Sequence, residues 1–248
     1  MLNIFSLTGK IILITGASSG IGRAVAQQCA AAGATCIITA RNQNRLKQTL
    51  DSLQGNGHQM VLSDLSVEED INNLVSNLPK VDGIVCCAGV VETKMLKFTD
   101  DDDLKRLFST NTLATIRIIR NVVQQKKINK ESSIILISSI SGVKCGYLGG
   151  SIYGATKGAL EGFIKASALE LAPQKVRVNT IAPGMIETPL MADSVIDAEQ
   201  LAADKLRFPL KRYGHAEEVG YAAVYLLSDA TKWITGTTLI MDGGYTLN

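Results

Sequence analysis

Ile11-Ile12-Leu13-Ile14 runs straight into Thr15-Gly16-Ala17-Ser18-Ser19-Gly20-Ile21-Gly22, and a helical pattern follows from Arg23 to Ala32, closed by Gly33. A continuous β-branched run is the signature of a strand buried on both faces, as in a parallel sheet. A glycine-rich turn between such a strand and a helix lets backbone approach a pyrophosphate. The helix N-terminus then offers free N–H groups and a positive dipole end. The spacing is G-x-x-x-G-x-G rather than the more usual G-x-G-x-x-G. A plain tight turn is the competing reading, and the flanking strand and helix argue against it.

The same alternation continues to the end of the chain. Strands are expected at Thr35–Ala40, His58–Leu62, Gly83–Cys87, Ser133–Ile137, Val176–Ile181 and Thr237–Met241. Helices are expected through Leu53, over Glu68–Leu78, Asp102–Gln124, from Tyr153 to about Leu171, and over Glu217–Leu227. No Pro/Gly/Ser-rich linker interrupts it. We therefore expect an α/β chain: one doubly wound Rossmann-type domain over 1–248, with a mostly parallel seven-stranded sheet and helices on both faces. The segment 185–208 has weak periodicity and reads as a flap over the site.

Several function classes are argued against by composition. The 248 residues are 46% hydrophobic and 19% charged with net charge +2, which suits a globular core and shows no basic arm for nucleic acid or anionic membrane. Cys29, Cys36, Cys86, Cys87 and Cys145 show no metal-ligand spacing, and with only His58 and His215 beside them a metal site is not expected. Cys29, Cys36, Cys86 and Cys87 lie in apolar runs, where a thiol behaves as a small hydrophobe. No apolar run reaches the roughly 20 residues that span a bilayer, and the N-terminus lacks the pattern of a signal peptide. The expectation is a cytoplasmic protein. The run Asp100-Asp101-Asp102-Asp103 reads as a helix start favoured by the dipole rather than as a cation site.

Strand ends carry the candidate binding groups. In a doubly wound sheet the end of the second strand meets the adenosine ribose; an acid there binds the 2′-hydroxyl of NAD, whereas Arg pairs with the 2′-phosphate of NADP. Here Ala40-Arg41 stands at that end with no acid, which favours NADP. Asn42 is the expected N-cap of the next helix. Asp64-Leu65 follows the third strand, where an adenine could lie, although Asp64 reads equally as a turn or cap residue. Ser138, Ser139 and Ser141 cluster at the carboxyl end of the fifth strand.

Tyr153 and Lys157 lie four positions apart on a helix and so share a face. Tyr keeps its proton to about pH 10. A neighbouring ammonium favours the phenolate, which is expected to bring the group into use as an acid/base near neutrality. Alone, the pair also describes a boundary tyrosine beside a solvated lysine.

Taken in order, these motifs resemble the short-chain dehydrogenase/reductase family from Lys10 to Gly244. Thr15, Gly16, Gly20 and Gly22 match its cofactor motif, with Ser18, Ser19 and Ile21 between them. Asn111, Ser139, Tyr153 and Lys157 fall where its catalytic tetrad is expected. Ala88-Gly89 follows strand four, and Pro183-Gly184 with Ile186 and Thr188 resembles the segment that holds the nicotinamide carboxamide. The stretches Pro209–Gly214, Glu217-Glu218-Val219, Ile234-Thr235-Gly236 and Asp242-Gly243-Gly244 are similar to the 3-oxoacyl-[acyl-carrier-protein] reductase branch.

The resemblance implies an NADPH-dependent reduction of a carbonyl to a secondary alcohol, with a 3-oxoacyl thioester as one substrate candidate. A sugar, a steroid or a small alcohol is an alternative, as is a dinucleotide-binding sensor without catalysis. It implies that Ser139 polarises the carbonyl, Tyr153 handles the proton, and Lys157 tunes Tyr153 and binds the nicotinamide ribose. Asn111 would hold a water leading to solvent. It also implies a homotetramer joined through the helices around Asn111 and Tyr153 and through the last strand. An acidic carrier protein would want a basic rim, for which Lys144, Arg207, Lys211 and Arg212 are candidates.

Two departures stand out. Cys86-Cys87 replaces the family's Asn-Asn, so an altered local hydrogen-bond pattern is expected. Ser139 precedes Tyr153 by one position more than in many relatives, which keeps Ser138 and Ser141 as fallbacks.

Overall fold

The computed structural model describes residues 3–188 and 198–247. Its centre is a seven-stranded sheet in the order β3-β2-β1-β4-β5-β6-β9, every pairing parallel. The strands are β1 (Ile11–Thr15), β2 (Thr35–Ala40), β3 (Gln59–Leu62), β4 (Val81–Cys86), β5 (Ile128–Ile137), β6 (Arg177–Pro183) and β9 (Thr238–Met241). A separate pair, β7 (Ile186–Glu187) and β8 (Gly214–His215), joins the start of the flap to the residues just past it.

The apolar runs are continuous because both faces of the sheet are covered. Along β1, Ile12 and Ile14 face one core and Leu13 the other; along β5, Ile135 and Ile137 oppose Ile134 and Leu136. The first core packs against α1 (Gly20–Ala31) and α8 (Ala216–Leu227). The second packs against α3 (Glu68–Asn77), α5 (Ala114–Gln124) and α6 (Ser151–Leu171). Each such fully buried Ile or Leu contributes about 1.5–3 kcal/mol.

Local signals place the helices. Asn42 caps α2 (Gln43–Asp51), accepting from the Arg45 N–H at 2.9 Å. Asp100 caps α4 (Asp101–Phe108) through a capping box with Asp103, so the acidic run is a helix start. The single helix expected over Asp102–Gln124 is instead two, α4 and α5, joined by a π-helical turn at Ser109–Leu113. Of the proposed flap, 189–197 lies outside the described residues, and its later part forms α7 (Ala198–Lys205). Among the described residues no helix is long and apolar enough to cross a membrane.

β1 lies between β2 and β4, so the strand order reverses there. The carboxyl ends on either side of that point open a crevice, the usual ligand site of such sheets.

Candidate active site

The turn after β1 is shaped by what a side chain would strike. A Cβ on Gly22 would sit 2.3 Å from the Gly16 carbonyl oxygen, so α1 begins pressed against the turn. Ser19 is the N-cap, yet its side chain caps nothing, and no acid lies in the first turn. The leading N–H groups of α1 thus have no side-chain partner, which fits a bound pyrophosphate. Thr188 faces this turn, its Cγ2 3.4 Å from where a Cβ on Gly20 would be.

Arg41 and Asp64 meet at the ends of β2 and β3, with Nη1 and Oδ2 3.8 Å apart. Burial pushes the Asp64 carboxyl up, but hydrogen bonds from Ser66 and the Arg41 charge outweigh it and hold the group below the usual range. Two buried hydroxyls close by in sequence, Thr39 and Ser63, have no hydrogen-bond partner among the described residues.

Beside β1, the Thr15 hydroxyl accepts from the N–H groups of Cys87 and Ala88, both at 3.2 Å. Cys86 and Cys87 point to opposite faces of the sheet, and both thiols are free. The local brace therefore comes from a threonine hydroxyl on the neighbouring strand. The Cys87 thiol makes no hydrogen bond among the described residues; it packs with the core under α1.

The second half of the site is fixed by Gly142. Its φ is +90°, and a Cβ there would lie 2.1 Å from the Gly154 carbonyl oxygen. The loop after β5 therefore rests directly on the first turns of α6, which brings Ser139 to Tyr153. Of the three serines, Ser139 is the one whose hydroxyl acts on Tyr153, lowering the pKa of its phenol. The Ser138 hydroxyl is taken by the Lys157 carbonyl at 3.3 Å, while the Ser141 N–H donates to Ser139 Oγ at 3.1 Å.

Tyr153 departs from its expected electrostatics. Burial pushes its phenol up to about 12, against the lowering effect of the Ser139 hydroxyl and with the help of Tyr147. Lys157 does not bring it down: its Nζ lies 5.9 Å from the Tyr153 ring centroid and donates at 2.8 Å to the Ile137 carbonyl. Burial pulls Lys157 itself down to about 8. With an ammonium this far inside, desolvation acts on both groups and outweighs their mutual attraction.

Asn111 is fully buried in the π-turn. Its Oδ1 accepts from Val90 N–H at 2.7 Å, and its Nδ2 donates to the Val90 carbonyl at 2.9 Å and to Thr156 Oγ1 at 3.1 Å. Asn111 Oδ1 and Lys157 Nζ each lie 3.3 Å from where a Cβ on Gly89 would stand, so the two share one small space that only glycine leaves open. Thr156, Val90 and the Ile137 carbonyl, which hold this arrangement, carried no signal in the sequence.

On the far side of the crevice the Ile140 N–H donates to the Pro183 carbonyl at 3.1 Å, and Gly184 packs on Asp242. Ile186 is buried and pairs with Gly214. Leu65 is buried at the opposite end. The basic rim is mostly engaged: Arg212 pairs with Glu218, Arg207 with Asp204, and Lys211 with the Leu206 carbonyl. Lys144 makes no ion pair among the described residues.

Comparison with known proteins agrees with this geometry. The family model described as Enoyl-(Acyl carrier protein) reductase matches residues 16–246. The chain is 36% identical over 242 residues to the 3-oxoacyl-[acyl-carrier-protein] reductase of Salmonella typhimurium, covering 96% of this chain and 98% of that one. The same identity and coverage hold for a 3-oxoacyl-[acyl-carrier-protein] reductase of Bos taurus. Among solved structures, a short-chain type dehydrogenase/reductase from Mycobacterium ulcerans superposes with a TM-score of 0.88 at 32% identity, covering 98% of this chain and 92% of that one. With its parallel sheet, glycine turn and Tyr153–Lys157 helix, the chain belongs to the short-chain dehydrogenase/reductase family, and within it is similar to 3-oxoacyl-[acyl-carrier-protein] reductases.

Proposed function

We propose that this oxidoreductase is an NADPH-dependent reductase that converts a ketone to a secondary alcohol, with 3-oxoacyl thioesters as the first substrate candidates. The observation that carries the reading is the convergence of Ser139 and Tyr153 at the carboxyl edge of the sheet, with Lys157 behind them. Two neighbouring hydroxyls can bind one carbonyl oxygen, and fixed donors there stabilise the charge that develops on it.

The turn residues Gly16, Ser18, Ser19, Gly20, Ile21 and Gly22 would hold the pyrophosphate of the cofactor, and Arg41 its 2′-phosphate. Asp64 and Leu65 would flank the adenine, Ala88 and Gly89 the central part. Pro183, Gly184, Ile186 and Thr188 would hold the nicotinamide. When bound, the nicotinamide supplies the hydride. Tyr153 keeps its proton well past neutrality, so it serves as the acid of a reduction. Lys157, pulled down to about 8, exchanges protons near neutral pH and can reprotonate Tyr153. Asn111 holds the Val90 backbone over Gly89, shaping the space through which that proton would come from solvent.

A homotetramer in the cytoplasm fits the same reading. The outer face of α6 carries exposed Ser151, Ala155, Gly162 and Ala166, small residues that let another helix approach, and Trp233 before β9 is fully exposed.

The test is loss of NADPH absorbance with 3-oxoacyl thioesters, ketosteroids, keto sugars and diketones, run in parallel with NADH. Turnover of a ketone with NADPH supports the reading. Tight NADPH binding without turnover of any carbonyl would replace it with a dinucleotide-binding sensor.

A further inference from the structure

We propose that Thr156 is a positioning residue for the supply of protons to Tyr153, its hydroxyl setting the Asn111 amide so that Oδ1 faces the space beside Lys157. This rests on the ketone-reductase reading, in which Lys157 reprotonates Tyr153, and adds the group that fixes the approach to Lys157.

The π-helical turn at Ser109–Leu113 fits one residue more into its turn than an α-helix would. Consecutive residues of an α-helix point about 100° apart. Asn111 and Thr112 nevertheless both bury their side chains against a single residue of α6. Asn111 Nδ2 donates to Thr156 Oγ1 at 3.1 Å, and Thr112 Oγ1 donates to the Thr156 carbonyl at 2.9 Å. Asn111 and Thr156 are both fully buried, and Thr112 nearly so. Thr156 is thus the residue of α6 on which the π-turn is fastened, and it stands directly before Lys157.

Counting hydrogens fixes the direction of each bond. The Thr156 hydroxyl has one hydrogen, and it donates that to the Tyr153 carbonyl at 2.7 Å. Toward Asn111 the hydroxyl can then only accept. Asn111 Nδ2 has two hydrogens, and the second goes to the Val90 carbonyl at 2.9 Å. Asn111 Oδ1 accepts from the Val90 N–H at 2.7 Å, which leaves it a lone pair to spare. Oδ1 and Lys157 Nζ each lie 3.3 Å from the point where a Cβ on Gly89 would stand. The spare acceptor therefore shares that space with the ammonium, where it suits a water that hands on a proton. Without the Thr156 hydroxyl, one Nδ2 hydrogen would be unpaired in a closed interior, at a cost the amide escapes by turning. The same hydroxyl is bonded to the backbone of Tyr153, so the amide is aligned to the helical turn that carries both Tyr153 and Lys157.

The experiment compares the unaltered chain with Thr156→Val, which keeps the shape and removes the hydroxyl, and with Thr156→Ser, which keeps the hydroxyl. For each, kcat of ketone reduction with NADPH is measured in H2O and in D2O, and Kd for NADPH by fluorescence titration. In Thr156→Val, kcat should fall about two- to tenfold, the worth of one hydrogen bond. The ratio of kcat in H2O to that in D2O should rise, because proton supply then limits turnover, while Kd for NADPH stays the same. Thr156→Ser should restore both kcat and the ratio. Thr156→Ala, which removes the hydroxyl and asks no second methyl to fit, decides the question if Thr156→Val does not fold. An unchanged solvent isotope ratio in the variant without the hydroxyl overturns the proposal alone, whether or not kcat falls. So does a Thr156→Ser protein as impaired as Thr156→Val. An unaltered chain that reduces no ketone overturns the reductase reading and this inference with it.

Discussion

Lys157 Nζ donates to the carbonyl of Ile137, the last residue of β5, at 2.8 Å, and so anchors the helix that carries Tyr153 to the strand that leads into Ser139. That buried position brings the ammonium down to about 8. A reduction needs a proton, and Lys157 carries one below that value. We therefore expect kcat for ketone reduction to be level near neutrality and to fall as pH rises through about 8, well before Tyr153 titrates. A pH–rate profile of kcat checks this; an alkaline limb that stays unchanged in Lys157→Met would contradict it.

Gly142 sets how closely Ser139 approaches Tyr153, since any Cβ there would meet the Gly154 carbonyl at 2.1 Å. Gly142→Ala adds both the left-handed backbone penalty and overpacking, about 2–4 kcal/mol together. Unfolding in guanidinium should show that loss. Single-turnover reduction should slow by more than the stability change alone accounts for, because the helix carrying Tyr153 is displaced. Activity equal to that of the unaltered chain would mean that the loop yields without moving α6.

Four thiols make the fold sensitive to alkali. Burial pushes Cys36 and Cys86 up to about 12, and raises Cys87. Cys29 is raised by burial first, then by Cys36 and Cys87. In the unfolded chain these groups lose their protons from about pH 9, so above it the unfolded state binds fewer protons and stability falls as pH rises. Lys157 acts with the opposite sign. Its folded value is depressed, so between about 8 and 10.5 the unfolded state holds the extra proton and stability is gained. Four groups against one leaves a net loss above pH 9. Cys36→Val should shallow the slope by one proton, about 1.4 kcal/mol per pH unit, in guanidinium unfolding at stepped alkaline pH. An unchanged slope would show that Cys36 ionises in the folded protein.

Much of this was legible in the residues. The apolar run at 35–40 is the observed β2, and the helix expected to run to about Leu171 ends there, because uninterrupted Ile/Val/Thr runs and a steady apolar face leave few alternatives. The π-turn around Asn111 was not, since one extra residue in a helical repeat barely disturbs its apolar period. The first part of β5 was missed because Asn129-Lys130-Glu131 is polar, and Glu131 has φ +62°. The β7–β8 pair escapes any pattern at two residues per strand. The spacing of Tyr153 and Lys157 reveals a neighbouring charge but not the depth at which both groups lie, and that burial raises the Tyr153 pKa.

Arg41 is exposed and bound to Asp64 only at 3.8 Å, so its guanidinium is available to a 2′-phosphate. Arg41→Ala should raise KM for NADPH about tenfold to a hundredfold, the value of a charged hydrogen bond, with little effect on KM for NADH. Steady-state kinetics with both cofactors measures this. Equal effects on the two would assign Arg41 to the surface.

Tyr153 is the proposed carrier of the proton. Tyr153→Phe removes one oxygen from a site otherwise intact, and should lower kcat for ketone reduction by at least about a hundredfold. Its Kd for NADPH, measured by fluorescence titration on the same protein, should stay close to that of the unaltered chain. A Tyr153→Phe protein that binds NADPH and keeps most of its turnover would contradict the account.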